Sequence, residues 1–228
     1  MNNSIKAMRT MKQQGFTLIE IAIVLVIIGL LVGGVLQGQE LIENSRVKQA
    51  VKDMNGTAAA VFAYQDRYGR TPGDDGPTAT IQGRGSSWNS ANIGGDADGR
   101  LEINRNQTFN GTGEGGPFWR QLKAAGFISG DPSSTGVAAL PNNSWGGLVG
   151  VTSQVANGGL GGNKVCLSQV PGSAAIAIDG EMDDGNGATG RLRATQGTSG
   201  QNTVPANGAL GGGGVYSEDN EYTLCYRM

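Results

Sequence analysis

The stretch Phe16–Leu36, FTLIEIAIVLVIIGLLVGGVL, holds 21 residues and one charge, Glu20. At 1.5 Å per residue a helix of that length spans about 31 Å, close to the roughly 30 Å of a bilayer's hydrocarbon core. The segment before it, MNNSIKAMRTMKQQG, carries Lys6, Arg9 and Lys12 and no acid. Basic flanks of this kind stay cytoplasmic, which sends the C-terminal part of the chain across the membrane.

Three readings compete for this segment. A secretory signal peptide has a shorter apolar stretch and a small-x-small cleavage site after it, and here the run is longer with no A-x-A following. A plain signal anchor fits the length but leaves Glu20 without a purpose, although a carboxylate in a membrane helix is costly and marks function. The third reading accounts for every residue. The string Gly15-Phe16-Thr17-Leu18-Ile19-Glu20 resembles the processing site of type IV prepilins and of the pseudopilins of type II secretion. The resemblance implies that a prepilin peptidase cuts between Gly15 and Phe16 and that the new amine of Phe16 is methylated. It also implies a charge pair for filament assembly, with Glu20 of one subunit facing the Phe16 amine of a neighbour. A buried ammonium needs such a counter-charge.

From Gln37 to Tyr68 the chain is polar but keeps a helical period. Val47, Val51, Met54, Ala58 and Val61 recur every three or four residues, with Arg46, Lys48, Lys52 and Asp53 mostly on other faces. Helical throughout, Phe16 to Tyr68 would measure roughly 80 Å. Many major pilins place a proline just past the middle of this helix, where this chain has Gln37. Gly29, Gly33, Gly34 and Gly38 serve either close helix packing or a segment that softens during assembly. The turn signal Thr71-Pro72-Gly73-Asp74 follows Tyr68-Gly69. The segments Tyr64–Asp74, Gly95–Arg100, Trp119–Gly126 and Asp183-Asp184-Gly185 also look like a pattern found in a subgroup of prepilin-like proteins.

Beyond Gly69 the sequence is rich in glycine, with 33 of the chain's 40. Pro117–Ala125 reads as a short helix with Phe118, Trp119, Leu122 and Ala125 on one side and Gly126 just past its end. Strands are expected at 147–151, 164–170 and 221–227, while Ala174–Ile178 fits helix or strand. Loops are expected at Ile81–Asn92 and Gly190–Gly214. Cys166 and Cys225 form one disulfide if this region lies outside the cytoplasm, and are otherwise two separate thiols.

The absence of histidine removes Ser-His-Asp and Cys-His catalysis and His-ligated metals. The near balance of 17 basic and 19 acidic residues argues against nucleic acid as a main partner. Two acidic patches are candidate calcium sites, Asp96, Asp98 and Glu102 in the first, and Asp179, Asp183 and Asp184 in the second, beside Glu181 and Asn186. Carboxylates around a glycine suit a hard cation, and equally suit a solvated turn. No cofactor is required.

These readings define an α+β, pilin-like fold: a long N-terminal helix, half membrane and half amphipathic, packed on a small antiparallel sheet with long Gly-rich loops. The expected divisions are a cytoplasmic leader at 1–15, a transmembrane or filament-core helix at 16–36, its continuation at 37–68 and a globular domain at 69–228. The expected function is that of a non-enzymatic structural subunit of a type IV pilus-like filament, major or minor. The alternatives are a type II secretion pseudopilin and a tip adhesin. Its partners would be copies of itself, other pilins, prepilin peptidase and an inner-membrane assembly platform. It would reside in the bacterial inner membrane as precursor, then in an extracellular pilus or a periplasmic pseudopilus.

Overall fold

The computed structural model describes residues 15–91 and 94–228. Lys6, Arg9, Lys12 and the rest of the leader before Gly15 lie outside the described residues, as does Asn92 of the loop expected at Ile81–Asn92. By internal contacts the chain divides into two units, Met1–Ile42 and Glu43–Met228.

The first helix, α1 (Leu18–Tyr68), runs for 51 residues. In the first unit every described residue is exposed except the half-buried Gly38, including the whole apolar run. In the second unit α1 has an inward face. Val47, Ala50, Met54, Thr57, Val61 and Tyr64 are buried at the helical period, while Lys48, Lys52, Asn55 and Phe62 stay exposed. Of the stripe expected from the sequence, Val51 and Ala58 are only half-buried. The face is centred on Ala50, Met54 and Val61, as the 3.6-residue period dictates.

After α1 the chain forms α2 (Thr78–Gln82), α3 (Gly115–Ala124) and α4 (Gly172–Met182). Four strands complete the domain: β1 (Val149–Thr152), β2 (Lys164–Pro171), β3 (Leu192–Gln196) and β4 (Glu221–Arg227). They form one sheet in the order β1-β2-β4-β3, every pair antiparallel. The fold is therefore α+β, a long N-terminal helix on a small antiparallel sheet with long connections.

Ala174–Ile178, which fits helix or strand in the sequence, lies within the helix α4. Ala174, Ala175 and Ile178 are buried, and each Ile or Leu so placed contributes about 1.5–3 kcal/mol. Strand β3 lies inside the stretch 190–214 expected as loop. Its five residues alternate weakly, and it forms because β4 offers a free edge that accepts them from Leu192 to Gln196. Helix α3 also differs from its expected one-sided character. It begins at Gly115, two residues before Pro117, and buries Gly115 through Leu122 without a polar face. Arg120 Nε donates to the Pro132 carbonyl at 3.1 Å, and Gln121 Oε1 accepts from the Gly73 N–H at 2.6 Å. Both polar residues are thus spent on holding loops. Gly126, past the end of α3, has φ +78°, the left-handed turn that ends helices and that other residues resist. At Gly150 in β1 a Cβ would stand 2.1 Å from the Thr108 carbonyl, so only glycine admits that approach.

Cys166 on β2 and Cys225 on β4 face each other in register and are bonded, with Cα atoms 4.1 Å apart. They close a loop across 59 positions, which on the chain-entropy model stabilises the fold by about 4 kcal/mol.

Candidate functional site

Gly15, Phe16 and Thr17 precede α1 without regular structure, and all three are exposed. Phe16 is 84% exposed, and among the described residues nothing lies within 4 Å of the position a Cβ would take on Gly15. Among the described residues, nothing covers the bond between Gly15 and Phe16. The Thr17 carbonyl accepts the first helical bond, from the Ile21 N–H at 3.3 Å, which makes Thr17 the N-cap. Its side-chain oxygen accepts from the Glu20 N–H at 3.3 Å. In return one Glu20 carboxylate oxygen accepts from the Thr17 N–H at 2.8 Å and from the Thr17 hydroxyl at 2.7 Å. This reciprocal arrangement is a capping box. Sequence reading singled out Glu20 and passed over Thr17, although the T-x-x-E spacing at the head of an apolar run was in plain view.

The acidic patches differ from one another. Of Asp96, Asp98 and Glu102, only Asp96 enters a close group, and its companions are Asp74 and Glu114, with oxygens all within 4.8 Å. Asp98 instead accepts from the Arg100 N–H at 2.7 Å, and Glu102 gives its backbone N–H to Glu114 at 2.5 Å. Asp74 is buried and accepts from the N–H groups of Ala97 and Gly99 at 2.8 and 2.7 Å. Burial pushes the Asp74 and Glu114 carboxyls above the usual carboxylate range. Backbone donors oppose that rise, and neighbouring carboxylates add to it. Asp74 and Glu114 were missed because 22 and 18 positions separate them from Asp96, a closeness no local pattern displays.

Asp179, Asp183 and Asp184 do lie together, again within 4.8 Å. Buried Asp179 accepts from the Tyr216 hydroxyl at 2.5 Å and the Gly185 N–H at 3.2 Å. One Asp183 oxygen accepts from the Arg191 and Leu192 N–H groups, and Asp184 accepts from Asn186 and Thr189. Burial raises the Asp179 carboxyl despite these bonds. Both groups offer the oxygen donors that calcium takes. In the first, most oxygens already accept from backbone N–H groups of residues 97–102; in the second, most already tie α4, β3 and the neighbouring loops to one another.

Comparison with protein families matches residues 10–36 to the prokaryotic N-terminal methylation motif. Comparison with curated proteins and with solved structures gave no match. The matched segment contains Gly15, Phe16, Thr17 and Glu20, whose geometry is described above. It is the signature of type IV pilins and pseudopilins, and among the described residues α1 is long and apolar enough to cross a bilayer. The chain thus carries the type IV pilin and pseudopilin signature at its N-terminus, which supports a pilin-like, membrane-anchored precursor of the kind that prepilin peptidase processes.

Proposed function

We propose that this protein is a subunit of a type IV pilus-like filament, cut between Gly15 and Phe16 and packed through Phe16–Leu36. The observation that carries this reading is the pairing of opposites at the head of α1. An apolar run with every residue exposed begins beside one carboxylate, Glu20, held a single turn from the processing bond. In a lipid bilayer that surface is satisfied by acyl chains; on leaving it, only equally apolar neighbours replace them. Glu20 supplies the counter-charge for the Phe16 amine of an adjoining subunit, and Thr17 holds the carboxylate until that exchange. Copies of itself, other pilins and the inner-membrane assembly platform are its partners.

Mass spectrometry of the N-terminus in sheared surface material and in the residual membranes of native cells tests this. A methylated Phe16 start in the sheared fraction is the expected result. The same start confined to membranes would turn the reading to a periplasmic pseudopilus. An intact Met1 start in cells with active prepilin peptidase would overturn it.

A further inference from the structure

Asn-Gly is the dipeptide in which an asparagine most readily loses its amide, because glycine leaves the attacking backbone nitrogen unhindered. The sequence contains five: Asn55-Gly56, Asn110-Gly111, Asn157-Gly158, Asn186-Gly187 and Asn207-Gly208. Local chemistry is the same at all five, so any difference in reactivity comes from the fold.

Four are restrained. Asn55 and Gly56 lie inside α1, where the Gly56 N–H is committed to a helical carbonyl. The Asn110 side chain donates to the Asn106 carbonyl at 3.1 Å and accepts from the Thr112 N–H and hydroxyl at 3.0 and 2.6 Å. Asn157 is fully buried, donating to the Arg193 carbonyl at 2.9 Å and accepting from Thr195 at 3.1 Å. The Asn186 side chain bonds Gly213 and Ala188, and the Gly187 N–H donates to the Gly214 carbonyl at 2.9 Å.

Asn207 differs in each respect. Residues 206–209 are exposed. Among the described residues the Asn207 side chain makes no hydrogen bond and the Gly208 N–H finds no acceptor. A Cβ on Gly208 would meet nothing within 4 Å.

We propose that Asn207 is a deamidation site that the fold leaves open while closing the other four. The Gly208 nitrogen, having lost its proton to solvent base, attacks the Asn207 side-chain carbonyl carbon. A new C–N bond forms, the bond to the side-chain nitrogen breaks, and ammonia leaves. Water then opens the cyclic imide at either carbonyl, giving aspartate or isoaspartate. The net reaction consumes one water and releases one ammonia, with no change of oxidation state.

The product matters where it forms. The Asn207 carbonyl accepts from the Gly158 N–H at 3.0 Å, and the neighbouring Ala206 carbonyl accepts from the Asn157 N–H at 2.8 Å. These two bonds tie the loop after β3 to the turn before β2. Isoaspartate lengthens the main chain at this junction and adds a negative charge.

The test is peptide mapping of the full-length protein, purified in detergent and held at mildly alkaline pH, folded and in urea. Folded, Asn207 should convert several-fold faster than each of the other four sites. In urea the five rates should draw together. Gly208→Ala, which the open space permits without refitting, should remove most of the Asn207 rate. Overturning results are another site matching or outrunning Asn207 in folded protein, or the same ranking of sites folded and unfolded.

Discussion

Lys164 begins β2 with its side chain wholly buried, and its ammonium donates to the Gly162 carbonyl at 2.5 Å. No carboxylate pairs with it among the described residues, and Arg227 stands opposite it in register on β4. Burial, with the repulsion of Arg227, pulls its pKa down from 10.5 to about 8. The unfolded chain therefore binds more protons than the folded one between about pH 8 and 10.5, and stability from this group rises with pH across that window. Lys164→Met removes the buried charge. The variant should gain up to about 3 kcal/mol over wild type near neutral pH. That gain should shrink towards zero by the top of the window. Urea midpoints of both proteins at the two ends check it, and a gain independent of pH would refute the account. Nothing in the sequence announced Lys164: a lysine opening a strand reads as a solvated edge. Its burial follows from the strands on both sides of β2, which no local pattern records. Thr17 is the opposite case, its partner three residues away and its pairing readable without a fold.

Among elements, the segment after α1 shows how a loop is held without regular structure. Buried Asp75 accepts from the Tyr64 hydroxyl at 2.5 Å and from both terminal nitrogens of Arg84 at 2.5 and 3.2 Å. The Arg84 guanidinium also lies over the rings of Tyr68 and Trp88, 4.4 and 5.0 Å from their centres. One arginine thereby joins the end of α1 to the chain from 75 to 88. Burial and the bond to Asp75 raise the Tyr64 hydroxyl pKa well above its ordinary value, so it stays a donor. Arg84→Leu strands a buried carboxylate and should cost about 3 kcal/mol. Adding Asp75→Asn removes the orphaned charge, so the double variant should be more stable than Arg84→Leu alone. Additive losses in urea unfolding would show that the two do not act as a pair. Elements with strong local patterns were legible in advance: α1, α3 to within two residues, and β4 at its full span 221–227. Strand β3 was not, because Leu192–Gln196 has no period strong enough to stand apart from its glycine-rich surroundings and needs the edge of β4 to exist.

For the whole molecule, the consequential property is that one chain combines an apolar unit with no buried core among its described residues and a unit with a dense one. The first gains its stability from whatever surrounds it, the second from burial and the Cys166–Cys225 bond. Glu20→Gln, which keeps size and loses charge, should leave cleavage after Gly15 and membrane insertion intact. Filament recovered by shearing should fall at least tenfold, since each interface would hold an ammonium without a counter-charge at a cost of about 3 kcal/mol. Wild-type filament yield from this variant would exclude the proposed charge pair. The sequence by itself determined the membrane run, the processing motif and the long helix, because length, hydropathy and a six-residue string are local and survive any packing. Only the tertiary structure decided that Asp96 meets Asp74 and Glu114, that β3 completes the sheet, that Lys164 is buried and that Asn207 alone of five is open. Each depends on which distant segments exclude water from a given side chain, and that is set by the packed fold as a whole.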